Sequence, residues 1–582
     1  MDKILNVKIN GQDVSVKAGA TVLDAAREAG INVPTLCYAK ELNHSPGACR
    51  LCVVEIEGFR NLQASCVLPA AEGMVIWTNT NRVRNARKMV VELLLSDHPW
   101  DCLNCHRNTN CELQKIAQDL NIRNLRVSGA MSEHPTDTSS RSIVREQNKC
   151  VKCGRCVTVC NQVQSVSALG YVERGFDTIP TSVFGKDLAN TSCVLCGQCT
   201  LVCPVAALHE KDEISKAWDA LGDKSKHVIV QVAPAIRASI GEEFGMEPGE
   251  SATGKTFAAL KMLGFDSVCD TSFTADVTIM EEAGELIERI SGNGKLPQLT
   301  SCSPGWVKFI EHFYPELLEH MSSCKSPQMM FGALAKSYYA EKKGINPADI
   351  FVVSIMPCTA KKYEAAREEM VNENGLRDVD VVLTTREFAR MIKEAGIDFL
   401  ALQDAEPEQL IGYGTGAGVI FANTGGVMEA ALRTAYETIT SKNLEHIEFE
   451  AVRGFEGIKS AEVDLDGQKV KVAVASGLAN ARVLLEDIKA GRSEYHFIEI
   501  MACPGGCIGG GGQPHSTDKS RKAARAKAIY AEDTNKPIRK SHENPAVQEL
   551  YKEYLGKPLG EKSHHLLHTH YIPKSKYPVP CE

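Results

Sequence analysis

The chain reads as a multidomain α+β and α/β protein, with small modules over residues 1–215 and a larger α/β domain over 216–582. Three observations carry that reading. At 582 residues the chain is too long for one core, and domains of roughly 100–200 residues give three to five units. Of its 22 cysteines, 15 fall before residue 204 in tight groups, and only seven follow. Beyond about residue 220 strand-like apolar runs (Val228–Val232, Phe351–Ile355, Val379–Leu383, Val470–Val474) alternate with helical stretches, the pattern of an α/β domain.

In chain order, residues 1–80 open with alternating Leu5, Val7 and Ile9, an Asn10-Gly11 turn, then Val14 and Val16, which predicts a hairpin. Thr21 to Ala29 has helical spacing and stops at Gly30. Residues 81–137 begin with a helix over 82–96. Residues 138–215 pass from a polar stretch into the densest cysteines. The remainder, 216–582, is the α/β domain.

A hydrophobic content of 43%, a charged content of 24% and a net charge of −8 describe an ordinary globular chain without the basic face that nucleic acid requires. No apolar run approaches the eighteen or so residues of a membrane span. The start, Met1 to Asn6, has no apolar stretch like a signal peptide. The expected compartment is a reducing cytoplasm, where crowded Cys-x-x-Cys groups mean metal rather than disulfides.

Four cysteine constellations precede the α/β domain. Cys37, Cys49, Cys52 and Cys66 suit a [2Fe–2S] cluster, with zinc as the alternative; the spacing resembles plant-type ferredoxins. His98, Cys102, Cys105 and Cys111 offer one imidazole and three thiolates, for zinc or a [4Fe–4S] cluster. The last two form an internal repeat. Cys150-x2-Cys153-x2-Cys156-x3-Cys160 is echoed by Cys193-x2-Cys196-x2-Cys199-x3-Cys203-Pro204, the bacterial two-cluster ferredoxin run. In that run the fourth cysteine of each copy serves the other cluster, so Cys150, Cys153 and Cys156 take Cys203, while Cys193, Cys196 and Cys199 take Cys160. Such a string moves electrons over distance.

In the rear domain Cys269 and Cys324 read as small buried hydrophobes. Three other segments set cysteine among Pro and Gly: Thr300-Ser301-Cys302-Ser303-Pro304, Met356-Pro357-Cys358-Thr359-Ala360-Lys361, and Met501-Ala502-Cys503-Pro504-Gly505-Gly506-Cys507. Each follows a strand or apolar run, so the thiols are expected to converge at strand ends, where α/β folds build their sites.

These three segments resemble the signature motifs of iron-only ([FeFe]) hydrogenases, in order and in separation, and the resemblance spans nearly all of the chain. It implies two α/β lobes around an H-cluster, a [4Fe–4S] cubane joined through one cysteine to a two-iron subsite with CO, cyanide and an azadithiolate bridge. It implies reversible interconversion of H2 with protons and electrons, fed through one [2Fe–2S] and three accessory [4Fe–4S] clusters. By the same resemblance Cys358 and Cys503 are cubane ligands and Cys507 bridges to the two-iron subsite. Pro234, Met356, Lys361 and Met501 line that subsite, Lys361 donating to a cyanide. Glu282, Glu285, Arg289 and Ser322 match the family's proton route with a shared offset. One departure stands out: where the family has two adjacent cysteines, a proton donor and a cubane ligand, this chain has Cys302-Ser303. Either Ser303 ligates iron or Cys302 has moved to the cluster. The front modules and the Cys-Ser variant resemble subunits of NAD(P)-linked, electron-bifurcating complexes, which implies flavin/NAD(P)-binding and small [2Fe–2S] partner subunits, with ferredoxin as the other electron partner. A hydrogen sensor and a pure electron-transfer subunit are the rival readings.

Two further patterns carry no site. Gly249 to Thr256 satisfies the phosphate-loop spacing but follows no strand. Gly412, Gly414, Gly416 and Gly418 lack the dinucleotide fingerprint and are expected to let backbone approach the cluster. The tail from 563 to 582, with Cys581, is expected to be a flexible end.

Overall fold

The computed structural model describes residues 3–292, 294–409, 411–444, 446–465, 467–516 and 518–575. The first module is a five-stranded sheet of β1 (Ile4–Ile9), β2 (Gln12–Lys17), β3 (Val53–Ile56), β4 (Gln63–Ala64) and β5 (Val75–Trp77), in the order β2-β1-β5-β3-β4. The expected hairpin is β1–β2, turning at Asn10 and Gly11, both with positive φ. Helix Val22–Glu28 begins in a capping box between Thr21 and Asp24, which satisfies two otherwise orphaned amides. Helix Asn81–Ser96 follows, capped by Thr80.

Antiparallel pairing of β6 (Ile143–Arg145) with β9 (Leu208–Glu210) ties together the two ends of the cysteine repeat, and β7 (Leu169–Val172) with β8 (Ile179–Ser182) forms a hairpin within it. Two four-stranded sheets then make two lobes. The first, β11 (Ser267–Asp270), β10 (His227–Val232), β13 (Ile350–Met356), β14 (Val381–Thr384) in that spatial order, is wholly parallel. Its strands are buried on both faces, as parallel sheets covered by helices must be. The second is β12 (Gln298–Leu299), β17 (Phe497–Met501), β16 (Gln468–Ser476) and β15 (Ile458–Leu465), parallel except for the β15–β16 hairpin. Alternation along these strands sends Ala473, Ala475, Ile498 and Ile500 into one core and Val472, Val474, Phe497 and Met501 into another.

Buried charges and bare backbone join the front modules to the lobes. Glu210, at the end of β9, takes Arg386 at 2.6 Å and Arg390 at 2.9 Å from helix Thr385–Glu394. Burial works against its ionisation, yet those two guanidinium charges hold its carboxyl well below the usual range. Gly197, in the second cysteine run, lies so close to the rear domain that a Cβ there would meet Thr359 Oγ1 at 2.3 Å and Gly511 Cα at 3.1 Å.

Two expectations are corrected. The run Gly412 to Gly418 does not face the cysteines: a Cβ on Gly412 would strike the Phe273 ring, on Gly414 and Gly418 the backbone of Ser272, and on Gly416 Asp533. The glycines let this loop pack on helices Ser272–Ile290 and Lys519–Asn535. The described part of the tail, residues 563–575, is packed in place. Helix Glu561–Leu567 buries Leu567, Thr569 donates its amide to the Ser323 carbonyl at 2.8 Å, and Lys574 donates its own to the Glu311 carbonyl at 2.8 Å. Cys581 lies outside the described residues. The phosphate-loop lookalike is structural, its Lys255 ammonium donating to the carbonyls of Leu400 and Leu402.

Candidate active site and cluster-binding cysteines

The 21 cysteines among the described residues are all free thiols. In the first module Cys37 is hydrogen-bonded to Cys49, and Cys52 to Cys66. Each pair shares a proton: the hydrogen bond draws Cys49 down to about 5 and Cys52 down to about 6, while Cys37 and Cys66 are pushed up. Thiols this close and unbridged are suited to a shared cationic cluster.

In the second module Nδ1 of His98 is buried and has no hydrogen-bond partner among the described residues. Burial lowers its basicity, leaving a lone pair free for metal. The charges of Asp101 and Lys149 act on both His98 and Cys102, which places the imidazole and the thiol in one corner. Cys102 is exposed.

In the cysteine repeat two small cavities, each about 20 Å³, sort the residues. One is lined by Cys150, Cys153, Cys156 and Cys203, the other by Cys193, Cys196, Cys199 and Cys160. This is the exchange of fourth cysteines that the spacing predicts.

The three rear motifs follow β12, β13 and β17, and Pro234 follows β10. All four chain segments therefore arrive at the carboxyl ends of parallel strands. There they enclose a cavity of about 80 Å³ whose lining includes Cys302, Ser303, Cys358, Cys503 and Cys507, with Pro234, Met356, Lys361 and Met501. Every cavity residue expected from sequence is present. Cys358 and Cys503 are hydrogen-bonded to each other, an interaction that pulls Cys358 down and pushes Cys503 up, and burial pushes Cys507 up to about 12. Gly510 lets the backbone after Cys507 close on the Pro357 carbonyl, where a Cβ would lie at 2.2 Å. Three converging thiols, with no disulfide between them, fit a thiolate-held iron cluster. Cys196, in the second cysteine run, lies within the electrostatic reach of Cys358 and Cys503.

The Cys302-Ser303 pair splits between two sides of this cavity. Ser303 accepts the Ala502 amide at 3.3 Å, beside Cys503. Burial and the Glu282 charge push the Cys302 thiol well up, so it stays protonated. Lys361 donates to the Cys302 carbonyl (3.1 Å), to Ser326 (2.8 Å) and to Glu364 (2.8 Å). Sequence reading missed Glu364 and Ser326. The Lys361-x-x-Glu364 spacing, an ion pair one helical turn long, is the signal that marks Glu364; nothing in the sequence marks Ser326.

The expected proton-route residues also assemble. Glu282, Glu285 and Arg289 share one face of helix Ser272–Ile290. Arg289 donates to Glu285 at 2.7 Å and to the Met321 carbonyl at 2.6 Å, and Ser322 donates to Glu285 at 3.0 Å. Glu282 is fully buried, and the Ser322 side chain and the Ser301 backbone are the hydrogen-bonding groups that act on its carboxyl. Burial, reinforced by the Glu285 charge, raises it to about 8. Also missed were Glu281, Ser323 and His568, a hydrogen-bonded cluster beside Glu285 in which Glu281 and His568 are buried.

Comparison with known proteins accounts for these features segment by segment. Residues 226–511 match the C-terminal domain of the iron-only hydrogenase large subunit, and 519–574 match the iron hydrogenase small subunit. Residues 2–81 match a 2Fe-2S iron-sulfur cluster binding domain, 87–126 the NADH-ubiquinone oxidoreductase-G iron-sulfur binding region, and 146–207 a 4Fe-4S dicluster domain. The NADP-reducing hydrogenase subunit HndD of Solidesulfovibrio fructosivorans is 51% identical over 98% of this chain and 100% of its own length. Iron hydrogenase 1 of Clostridium pasteurianum is 43% identical over 97% and 99%. An [FeFe]-hydrogenase structure from Chlamydomonas reinhardtii, 45% identical, covers 62% of this chain and 99% of its own with a TM-score of 0.57. With cavity, cysteine modules and full-length relatives in agreement, the chain belongs to the iron-only hydrogenases and carries ferredoxin-like [2Fe–2S] and [4Fe–4S] modules ahead of its hydrogenase domain.

Proposed function

We propose that this hydrogenase is the catalytic subunit of a cytoplasmic, NAD(P)-linked complex, exchanging electrons with flavin- and nucleotide-binding partner subunits and a small [2Fe–2S] subunit. The name of the half-identical relative, a subunit of an NADP-reducing hydrogenase, supports that partnership, and no helix among the described residues is long and apolar enough to cross a membrane. The single observation that carries the catalytic assignment is the cavity that gathers three separate cysteine motifs at the carboxyl ends of parallel strands.

Cys358, Cys503 and Cys507 would hold the H-cluster in this cavity, with Ser303 at the remaining ligand position. When bound, the H-cluster supplies the two-electron redox chemistry. The protein supplies placement and protons. Pro234, Met356, Phe421 and Met501 wall the cavity with apolar surface that excludes water. Lys361, fixed by Glu364 and Ser326, presents a positive charge there. Protons enter where Arg289 pairs with Glu285, pass by Ser322 to Glu282, and reach the Cys302 thiol. Electrons run from the outer modules through the paired cysteine runs to Cys196, next to the cubane ligands.

Two variants of the matured protein test these roles. Cys507→Ala removes one of the thiols that would hold the H-cluster, so hydrogen turnover is expected to be lost while the front-module clusters keep their electron paramagnetic resonance signals. Cys302→Ala collapses turnover but leaves the cubane signals in place; loss of the cubane would make Cys302 the fourth ligand instead.

A further inference from the structure

Glu281, the neighbour of Glu282, is fully buried and takes no part in the route above. Its carboxylate accepts Nε2 of His568 at 3.0 Å, the Leu559 amide at 2.8 Å and the Tyr551 hydroxyl. The other ring nitrogen of His568, Nδ1, lies 2.8 Å from the Ser323 hydroxyl. Ser323 in turn reaches Oε2 of Glu285 through its amide at 3.1 Å and its hydroxyl at 3.4 Å.

An ionised carboxylate only accepts, so Nε2 carries a proton and Nδ1 is the position that can change. With Nδ1 bare, the Ser323 hydroxyl donates to it. With Nδ1 protonated, the imidazolium donates to Ser323, whose hydroxyl turns to Glu285. The charged and titratable groups around the ring are Glu281 and Glu285 from one helix, the Cys324 thiol, Tyr551, and His564, stacked on its face at 4.7 Å between ring centres. The His568 side chain is 1% exposed, so the branch ends at the ring instead of opening to solvent.

We propose that His568, with Glu281 as its counter-ion, is a proton-parking site that branches from the proton route at Glu285. The proton of a protonated Glu285 moves to the Ser323 oxygen as the Ser323 hydroxyl proton moves to Nδ1. One O–H bond breaks at Glu285 and one at Ser323; one O–H bond forms at Ser323 and one N–H bond at His568. Glu285 is left ionised and His568 is left an imidazolium beside the Glu281 carboxylate. Oxidation of H2 releases two protons into a single file of groups, and a side position one serine away takes one while the other leaves. His568 and Tyr551 fall within the 519–574 stretch that matches the iron hydrogenase small subunit, so this branch is that segment's contribution to the large-subunit-like domain. The proposal rests on the reading of Glu285 as a member of the route.

Ser323→Ala, His568→Gln and Glu285→Gln in the matured full chain separate the possibilities. Ser323→Ala leaves the His568–Glu281 pair and the docking of the tail intact while cutting the link to Glu285. It is expected to shift the pH profile of hydrogen oxidation by about one unit, tenfold in proton affinity. His568→Gln should give the same shift, and the double variant no more. In infrared difference spectra of histidine-labelled protein, acidification should raise imidazolium bands that are lost in His568→Gln and altered in Ser323→Ala. A Ser323→Ala protein with the wild-type profile overturns the proposal, as does a His568→Gln defect that Ser323→Ala fails to reproduce, which would make His568 structural. Full turnover in Glu285→Gln would instead overturn the route itself. Slow Glu285→Gln turnover with a normal Ser323→Ala profile removes the branch alone.

Discussion

At Glu282 two influences act in the same direction. Burial and the neighbouring Glu285 charge keep its carboxyl protonated up to about 8, against 4.5 for an ordinary glutamate. The folded chain therefore holds a proton between those values that the unfolded chain has released. Stability from this group is fully present below about 4.5 and is lost as pH climbs towards 8, at about 1.4 kcal/mol per unit. Glu282→Gln cannot ionise, so denaturant titrations at several pH values should show the variant gaining on the wild type across that window. The same substitution removes the transferable proton, and turnover should fall by about 10²-fold or more, with the infrared bands of the cluster preserved. Hydrogen evolution by the unmodified protein should decline above about pH 8, where Glu282 loses its proton. In the sequence, the i, i+3 spacing of Glu282 and Glu285 is that of any solvated helix face. It gained meaning only from its offset to the cysteine motifs. His568 had no such offset, because its partners Glu281 and Ser323 lie more than 240 residues away in the chain.

Among elements, the joint between β9 and helix Thr385–Glu394 shows what periodicity conveys and what it leaves out. The strands β10, β13, β14 and β16 were legible as apolar runs, because a parallel strand buried on both faces has no polar alternation to hide it. Their spatial order was not legible, since crossover connections leave no local mark. Nor was the ionic joint, because Glu210, Arg386 and Arg390 look like surface charges until the fold buries them. The glycine run was misread for a related reason. Glycine signals a close approach without naming the neighbour, and the neighbour proved to be Ser272 and Phe273 rather than a cluster. Arg386→Met leaves Glu210 buried with Arg390 as its remaining partner and should cost about 1.5–3 kcal/mol, the worth of a hydrogen bond to a charged group. Thermal unfolding should register that loss, along with slower reduction of the cluster cavity from the front modules, while hydrogen/deuterium exchange at the active site changes less.

At the scale of the whole molecule, the cysteine groups run from Cys37 to Cys203, and Cys196 lies within electrostatic reach of Cys358 and Cys503 in the cavity. The matured chain should carry about 20 irons, counting one [2Fe–2S], three [4Fe–4S], a cubane and two further irons. Metal analysis finding mostly zinc, or a reproducible half of that iron, would remove one or more modules from the count. These groups were the most legible part of the protein, because thiolate ligation fixes short spacings that chance seldom repeats. The cavity was legible as separate motifs, and only the fold shows them meeting.

That meeting has a consequence for how the protein is made. The cysteine groups of the front modules all lie between Cys37 and Cys203, whereas the cavity is not enclosed until the segment Met501–Gly510 has been added. At a synthesis rate of about 5–20 residues per second, the intervening stretch takes on the order of tens of seconds to emerge. The conducting modules can thus fold and receive iron while the ribosome is still at work. The segments that enclose the reactive cavity are therefore completed after the front modules have emerged.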